Sequence, residues 1–188
     1  RFLAEGRPDP LAEGYTRADG VIGHFVIGGH ATADTSLADG ATQFVVTEAK
    51  LFSRLSPGVK NATYFDQVAR SVACIAEVLR RSGLKPEKID SLGFFVVAPV
   101  EQIERGVFRR EVDKGSIREK VKRRVSEYAD AEKDRFFERW FMPTWHQIKV
   151  ECLSWETIVG FIRERDPGYG QALADFYGCC LEFSRIQE

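Results

Sequence analysis

Residues 43–52 have the sequence QFVVTEAKLF, in which β-branched residues precede a glutamate and a lysine two positions apart. The β-branched start predicts a strand. Side chains two residues apart in a strand point to the same face, so Glu48 and Lys50 share a face with Phe44 and Val46. The stretch therefore predicts a carboxylate and an ammonium at the polar end of a strand whose other end is buried.

Residues 21–28 (VIGHFVIG) predict a second strand, and together with residues 43–52 they predict an antiparallel hairpin with a long connection. Pairing from the turn end of this hairpin places Asp19 opposite Lys50 and diagonal to Glu48. We therefore expect two carboxylates and one ammonium to converge at the open end of the hairpin.

Other aspartates compete with Asp19 for this position. Asp39 precedes Glu48 by nine residues, which is ~30 Å of extended strand. Asp34 lies in the predicted turn, and Asp9 lies between two prolines away from any predicted strand. The reach of the strands favours Asp19 over these three.

A helix and a strand follow the hairpin. Asn61 can cap a helix over residues 62–81, whose apolar positions recur with the helical period. Residues 92–97 (LGFFVV) form an apolar run that ends before Pro99, as is typical of a strand buried on both faces. A strand, a helix and a strand in this order predict a crossover connection between parallel strands.

The C-terminal half predicts further helices. Ser116 and Glu119 form a capping-box pattern at the start of a long helix that ends before Pro143. Beyond it we predict an edge strand over residues 148–153 and two closing helices that start at Ser154 and at residues 166–167. The whole pattern predicts a single α/β domain over residues 1–188, with residues 1–18 as an arm or truncated first helix and residues 104–188 as a helical elaboration.

Three elements of the sequence together carry a family resemblance. Asp19, then Glu48-x-Lys50, then Gln67-x-x-Arg70 on the following helix resemble the PD-(D/E)XK nuclease superfamily. The resemblance implies a restriction-endonuclease-like core, in which an antiparallel hairpin is followed by a helix crossover to a parallel strand, here with flanking C-terminal helices.

The resemblance also implies a chemistry for these residues. In such a nuclease, Asp19 and Glu48 bind Mg²⁺, for which Mn²⁺ can substitute, and Lys50 stabilises charge or helps to activate the attacking water. Gln67 is then an accessory catalytic residue, and Arg70 is a candidate contact to a phosphate. The implied activity is metal-dependent hydrolysis of phosphodiester bonds in nucleic acid, with DNA favoured.

The match to the family pattern covers residues 17–98 and has two departures. Ala18 stands where the family name has proline. The first helix and first strand of the family are not evident, so either Glu5 or Glu13 supplies the acidic residue of that helix or these elements precede Arg1. Because the chain does not begin with Met, we expect a processed chain or part of a longer protein.

A basic segment predicts a polyanionic partner. Between Arg105 and Arg124 there are nine Lys or Arg residues against three acidic ones. Lys114, Arg118 and Lys122 are spaced by four and so share a helix face, which can follow a phosphate backbone. The alternative is an ordinary solvated helix face.

Composition limits the remaining classes of function. The 188 residues have a net charge of −1 and 44% apolar residues, which fits one core and excludes a uniformly basic protein. No apolar run is long enough to span a membrane. The four cysteines and three histidines lack zinc-site spacing, so we expect reduced thiols and a cytoplasmic location.

Two alternatives to a nuclease stay open. The chain can keep this fold as a catalytically inert module that binds nucleic acid or a protein partner, since fold does not determine function. The Glu-x-Lys pair can also be a chance ion pair in an unrelated α/β domain. A homodimer would suit a nuclease that cuts both strands of a duplex.

Overall fold

The computed structural model describes residues 17–27, 35–58, 62–128 and 131–185. Predictions for several residues fall outside these ranges, namely those for Glu5, Asp9, Glu13, Asp34 and Asn61. The same holds for the predicted N-terminal arm, except for its last two residues.

Strands and helices alternate along the described chain. The strands are β1 (Gly20–Gly23), β2 (Phe25–Ile27), β3 (Thr35–Leu37), β4 (Gln43–Ala49), β5 (Ser91–Ala98) and β6 (Lys149–Ser154). The α-helices are α1 (Gln67–Ser82), α2 (Val100–Glu104), α3 (Lys114–Ser126), α4 (Ala131–Phe136), α5 (Met142–Gln147), α6 (Trp155–Arg165) and α7 (Pro167–Arg185). A short 3₁₀ turn (Pro86–Lys88) precedes β5, and a π-helical segment (Phe137–Phe141) joins α4 to α5.

A mixed four-stranded sheet organises the fold. Its strand order is β1-β4-β5-β6, with β1 antiparallel to β4 and with β4, β5 and β6 mutually parallel. The chain reaches β5 from β4 through α1. The prediction of an α/β fold with an antiparallel pair and parallel strands is therefore confirmed.

The hairpin strands are shorter than predicted. The stretch 21–28 divides at His24: β1 pairs with β4, whereas β2 pairs with β3 in a separate antiparallel ribbon. Strand β4 ends at Ala49 rather than at residue 52, because Phe52 adopts a left-handed backbone conformation (φ 65°) that cannot continue a strand.

Helix α1 covers one face of the sheet. Its stripe Val68, Val72, Ile75 and Leu79 is fully buried, in the same core cluster as Phe44, Val46, Phe94 and Val96 of the sheet. The predicted start at residue 62 is wrong: the helix begins at Gln67, because the Asp66 carboxylate caps it by accepting the Ala69 N–H at 3.0 Å.

The long helix predicted from Ser116 is also divided differently. Helix α3 begins at Lys114, because the Asp113 carboxylate, rather than Ser116, accepts the capping hydrogen bond. It ends at Ser126, well before Pro143. Pro143 lies inside the continuous helical run from α4 to α5, directly after the π-helical segment Phe137–Phe141.

The C-terminal elements follow the prediction. Strand β6 lies at the sheet edge beside β5, α6 is capped by Ser154, and α7 starts at Pro167. No helix in the described part of the chain is both long and apolar enough to cross a membrane.

We expect Glu77→Gln to destabilise the fold by about 1–2 kcal/mol at neutral pH. Glu77 of α1 is 7% exposed and accepts hydrogen bonds from Arg80 at 2.7 Å and Arg81 at 2.8 Å. Burial alone would raise its pKa, but the two arginines outweigh burial and hold the pKa below its ordinary value of 4.5. A lowered carboxyl pKa contributes stability that is present above pH 4.5 and is lost as the pH falls through the folded-state pKa.

Urea unfolding as a function of pH measures this effect. The free energy of unfolding of the variant should fall less steeply than that of wild type below about pH 4.5. Glu87→Gln, at an exposed position of the turn before β5, is the matched control and should behave as wild type. Equal acid sensitivity of all three proteins would contradict the role of Glu77.

Candidate functional site

A carboxylate and an ammonium meet at the end of β4. Lys50 Nζ lies 2.7 Å from Glu48 Oε1, Glu48 is 4% exposed, and the Lys50 side chain is 13% exposed. Both follow Phe44 and Val46 on the face that α1 covers. Withdrawing such a pair from water is costly unless it is well hydrogen-bonded, so this pair differs from an ordinary surface ion pair.

Asp19 joins this pair from β1. The predicted pairing is shifted by two residues: Gly20 pairs with Thr47, which by continuation brings Asp19 opposite Glu48 rather than Lys50. A shift by two keeps every side chain on its predicted face, because the strand period is two. Asp19 Oδ2 accepts the N–H of Ala49 at 2.9 Å. The carboxylate is therefore held at the backbone of the residue that separates Glu48 from Lys50.

The competing aspartate in the described chain lies elsewhere. Asp39 is exposed in the turn that precedes β4. Because β4 is extended from Gln43 to Ala49, Asp39 is at the opposite end of this strand from Glu48. The structure therefore places the carboxylate of Asp19, and not that of Asp39, at the backbone of Ala49, between Glu48 and Lys50.

Gln67 and Arg70 occupy the first turn of α1 but differ in their contacts. Gln67 Oε1 accepts the N–H of Ser56 at 3.0 Å, and the Gln67 N–H donates to the Ser56 carbonyl. Gln67 thus anchors the segment after β4 to the helix, and in the described chain it makes no hydrogen bond to Glu48 or Lys50.

Arg70 has an unsatisfied donor. Its Nε is buried and has no hydrogen-bond partner among the described residues. An unpaired buried N–H is unfavourable, and a guanidinium is the side chain best suited to a phosphate oxygen. This position fits the predicted phosphate contact better than Gln67 fits its predicted role.

The predicted basic stripe of α3 is not one solvated face. Lys114 Nζ donates to the Ile148 carbonyl at 3.2 Å and lies over the Trp145 ring, and burial lowers the pKa of Lys114. Arg118 also lies over Trp145 and pairs with Glu119 at 2.9 Å. The spacing of four therefore places two cations around one indole ring, and Lys122 is the exposed member of the three.

The two ends of α3 lie near opposite ends of the parallel strands. Lys114 contacts Ile148, just before β6 starts, whereas Lys120 pairs with Asp66, the cap of α1, at 2.6 Å. Since α1 leads from the end of β4 to the start of β5, its cap lies toward the edge where Glu48 is. Only the second half of α3, with Lys122, is therefore near the candidate site.

Other exposed cations follow the carboxyl end of β5 in the chain. Arg105, Arg109 and Arg110 follow α2, which itself follows the carboxyl end of β5. All three are exposed and make no ion pair with the described residues. These residues belong to the basic segment of the sequence, but the predicted binding face lay on the helix instead, because spacing does not reveal which cations are already paired.

The contact of Trp155 with the end of β4 was not predicted from the sequence. The Trp155 Nε1–H donates to the Lys50 carbonyl at 3.0 Å, so the start of α6 holds the end of β4 in place. The one local signal was a tryptophan directly after a capping serine, which does not identify a partner 105 residues away.

The oxygen ligands present fit a small hard cation. Asp19 and Glu48 each have one carboxylate oxygen that accepts no hydrogen bond from the described residues, and oxygen is the ligand that Mg²⁺ prefers. No group of three or more His, Cys, Asp or Glu side chains that could hold an ion exists within the ranges described. Two carboxylates still suffice for Mg²⁺, which usually keeps several of its waters.

Comparison of the chain with protein-family models, curated proteins and solved structures gave no match. Membership of the PD-(D/E)XK superfamily therefore stays a prediction from the residues quoted above. The functional assignment depends on the geometry of this site.

We expect Asp19→Asn and Glu48→Gln each to weaken Mn²⁺ binding by at least about tenfold, because each removes an anionic ligand while keeping the shape of the side chain. Isothermal titration calorimetry of the whole chain measures this. Asp39→Asn is the matched control and should bind Mn²⁺ as wild type does. Unchanged binding by either site variant would refute the metal assignment.

Lys114 and Lys122 should differ in what their loss affects. Lys122→Glu should leave the melting temperature unchanged and lower the salt dependence of nucleic-acid binding by about one unit of slope. Lys114→Ala should instead lower the free energy of unfolding by about 1 kcal/mol, because it leaves the Ile148 carbonyl without its donor. Thermal unfolding and binding titrations at several salt concentrations separate the two effects. If both variants bind nucleic acid more weakly and are as stable as wild type, the predicted binding face of Lys114, Arg118 and Lys122 is supported instead.

Proposed function

We propose that this chain is a divalent-metal-dependent nuclease of the PD-(D/E)XK type, which hydrolyses phosphodiester bonds in nucleic acid. The hydrogen bond from the Ala49 N–H to Asp19 Oδ2 carries the proposal. It holds a second carboxylate at the backbone between Glu48 and Lys50, although Asp19 and Ala49 are 30 residues apart in the chain, and a chance Glu-x-Lys pair would not require it.

The topology around the site supports the same proposal. The antiparallel pair β1–β4, the helix α1 and the parallel strand β5 occur in the order expected of a restriction-endonuclease-like core. The site also lies at the carboxyl ends of β4, β5 and β6, the edge at which open α/β sheets generally bind ligands.

Each residue has a distinct task in this proposal. Asp19 and Glu48 would hold Mg²⁺, or Mn²⁺ in its place. The bound ion would supply Lewis-acid stabilisation of the phosphoryl oxygens and a water with a lowered pKa. Lys50, fixed by its 2.7 Å contact with Glu48, keeps a positive charge beside the position of the scissile phosphate, where negative charge develops.

The charges of the three residues support a dependence on the cation. Two carboxylates and one ammonium leave the site with a net charge of −1, which repels a phosphate. Adding a divalent cation reverses the sign to +1. Binding of the substrate phosphate at this position should therefore require the ion, while cations elsewhere contribute regardless of it.

The substrate of the proposal is nucleic acid, with DNA favoured, and the location is cytoplasmic. Arg105, Arg109 and Arg110, exposed after the carboxyl end of β5, together with Lys122, are the cations available to a phosphate backbone. Arg70, in the first turn of α1, is the further candidate contact to a phosphate. A homodimer is part of the proposal only for cleavage of both strands of a duplex.

The rival candidate is an inert module, and one observation favours it. The Glu48–Lys50 pair is nearly buried, so it could serve only to end β4 in a defined geometry. An inert module would still have the fold and the exposed cations, but it would not cut.

Lys50→Met separates the two candidates. In a nuclease the variant should still bind Mn²⁺ and nucleic acid, because Asp19 and Glu48 remain, and it should lose roughly 10²–10³-fold in cleavage rate. Gel assays with Mg²⁺ on plasmid, single-stranded DNA and RNA measure the rate. The assay also identifies the kind of nucleic acid that is cut.

The chain contains a matched control for this variant. Lys149 and Glu151 have the same two-residue relation on β6, at 3.1 Å, but their side chains are 61% and 48% exposed. Lys149→Met should cleave as wild type does. A wild type that cuts none of the substrates and binds no Mn²⁺ would refute the nuclease in favour of the inert module.

A further inference from the structure

Helix α7 carries apolar side chains on its outer face as well as on its inner face. On the inner face, the ring of Tyr177 lies 6.3 Å from the ring of Trp155 at the start of α6. The outer face carries Tyr169, Phe176 and Phe183, which are 64%, 66% and 64% exposed. A helix that is apolar all round is normally covered on both sides, so the outer face of α7 should have a partner.

The three rings of the outer face recur every seven residues, with small residues between them. Ala172 and Cys179 are both exposed, and each follows a ring by three positions. Positions 169, 172, 176, 179 and 183 thus have the alternating spacing of three and four at which one helix meets another in a coiled coil. These five residues are the outer stripe of α7, in which large side chains hold the a positions and small ones the d positions.

The charges beside the outer stripe limit the kind of partner. Asp175 and Glu182 are exposed, and each directly precedes a ring of the stripe. Between Pro167 and Ser184 the sequence has no lysine or arginine. The two carboxylates repel the phosphates of nucleic acid and the anionic surface of a membrane. The outer stripe therefore suits an apolar helix of a protein.

The order of large and small residues makes the outer stripe complementary to itself. When two α7 helices related by a two-fold axis pack antiparallel, the a positions of one face the d positions of the other, so each ring lies against a small residue. One such register sets Phe176 against Ala172 of the other copy and Tyr169 against Cys179. A parallel pair would instead set ring against ring and methyl against methyl, which gives layers of unequal width.

The exposed area of the outer stripe fits a small interface. At ~200 Å² for each aromatic side chain, the exposed two-thirds of the three rings provide ~400 Å² on each copy. Ala172, Cys179 and the side chains beside the stripe add to this area. Two copies would therefore bury about 1,000 Å², which is the lower limit for a specific interface. An interface of this size predicts a weak, reversible dimer.

We infer that two copies of this chain associate antiparallel through the outer stripes of their α7 helices. The inference goes beyond the proposed function and does not depend on it. Helix α7 lies beside the end of β4, because Ala49, Leu173 and Phe176 line one cavity of about 200 Å³. The dimer therefore holds two candidate sites in one assembly, as would suit cleavage of both strands of a duplex.

Sedimentation equilibrium of the whole chain over roughly 1–200 µM tests the inference. The mass of wild type should rise from that of the 21.3 kDa monomer toward twice that value. Phe176→Glu should weaken association at least about tenfold, because it sets a charge against the apolar stripe of the other copy. Ile27→Glu is the matched control: it adds the same charge at an 83% exposed position of β2 and should dimerise as wild type does.

A second variant distinguishes interlocked side chains from a surface that is merely adhesive. Ala172→Phe adds apolar area to the outer stripe but fills the space that a ring of the other copy requires, so it should also weaken association at least about tenfold. Stronger association of this variant would overturn the antiparallel pairing. Circular dichroism of both stripe variants should match that of wild type, because both positions are exposed.

The outcomes separate this inference from the nuclease proposal. A wild type that stays monomeric over the whole range, or a Phe176→Glu variant that dimerises as wild type does, overturns the inference even if Mg²⁺-dependent cleavage is found; the outer stripe then has another occupant. A dimer that Phe176→Glu and Ala172→Phe both weaken supports the inference, even in a chain that never cleaves.

Discussion

Strand β4 must satisfy hydrogen bonds on both of its edges up to its last residue, and the candidate site results from how it does so. On one edge the Lys50 N–H donates to the Val97 carbonyl of β5. On the other edge β1 begins only at Gly20, so the Ala49 N–H has no strand partner and donates to the Asp19 carboxylate instead. Completing the backbone hydrogen bonds of a central strand thus brings a carboxylate to Glu48 and Lys50.

Burial makes this arrangement sensitive to substitution. Removing one partner of a buried ion pair typically costs ~3–5 kcal/mol, because the other charge is left without compensation. The exposed pair of Lys149 and Glu151 on β6 has the same spacing but contributes ~0–1 kcal/mol, as is usual at a surface. Two oppositely charged pairs with the same spacing therefore have different physical meaning, and of these two only the pair beside α1 combines charge with exclusion of water.

The basic segment illustrates how packing changes the meaning of a charge pattern. Lys114 and Arg118 surround Trp145, Lys120 pairs with the cap of α1, and Arg124 is fully buried beside Glu127. These cations stabilise contacts among α1, α3 and α5. The cations left for a polyanion are the exposed ones in the connection after α2 and at Lys122, so a helical spacing of charges by itself overestimates the binding surface.

The sequence by itself determined the elements whose signal is local: the apolar run of β5, the apolar stripe of α1, and the starts of α6 and α7 at Ser154 and Pro167. It also determined that Glu48 and Lys50 share a face, because the strand period does not depend on context. The tertiary structure decided the strand register that places Asp19 opposite Glu48, the choice of Asp66 and Asp113 as caps, and the position of Trp155 beside Lys50. The positions of Asp19 and Trp155 depend on contacts between groups 30 and 105 residues apart, which local spacing does not reveal. Each cap accepts from an N–H only three residues away, but the sequence pattern alone does not decide between neighbouring candidates for a cap.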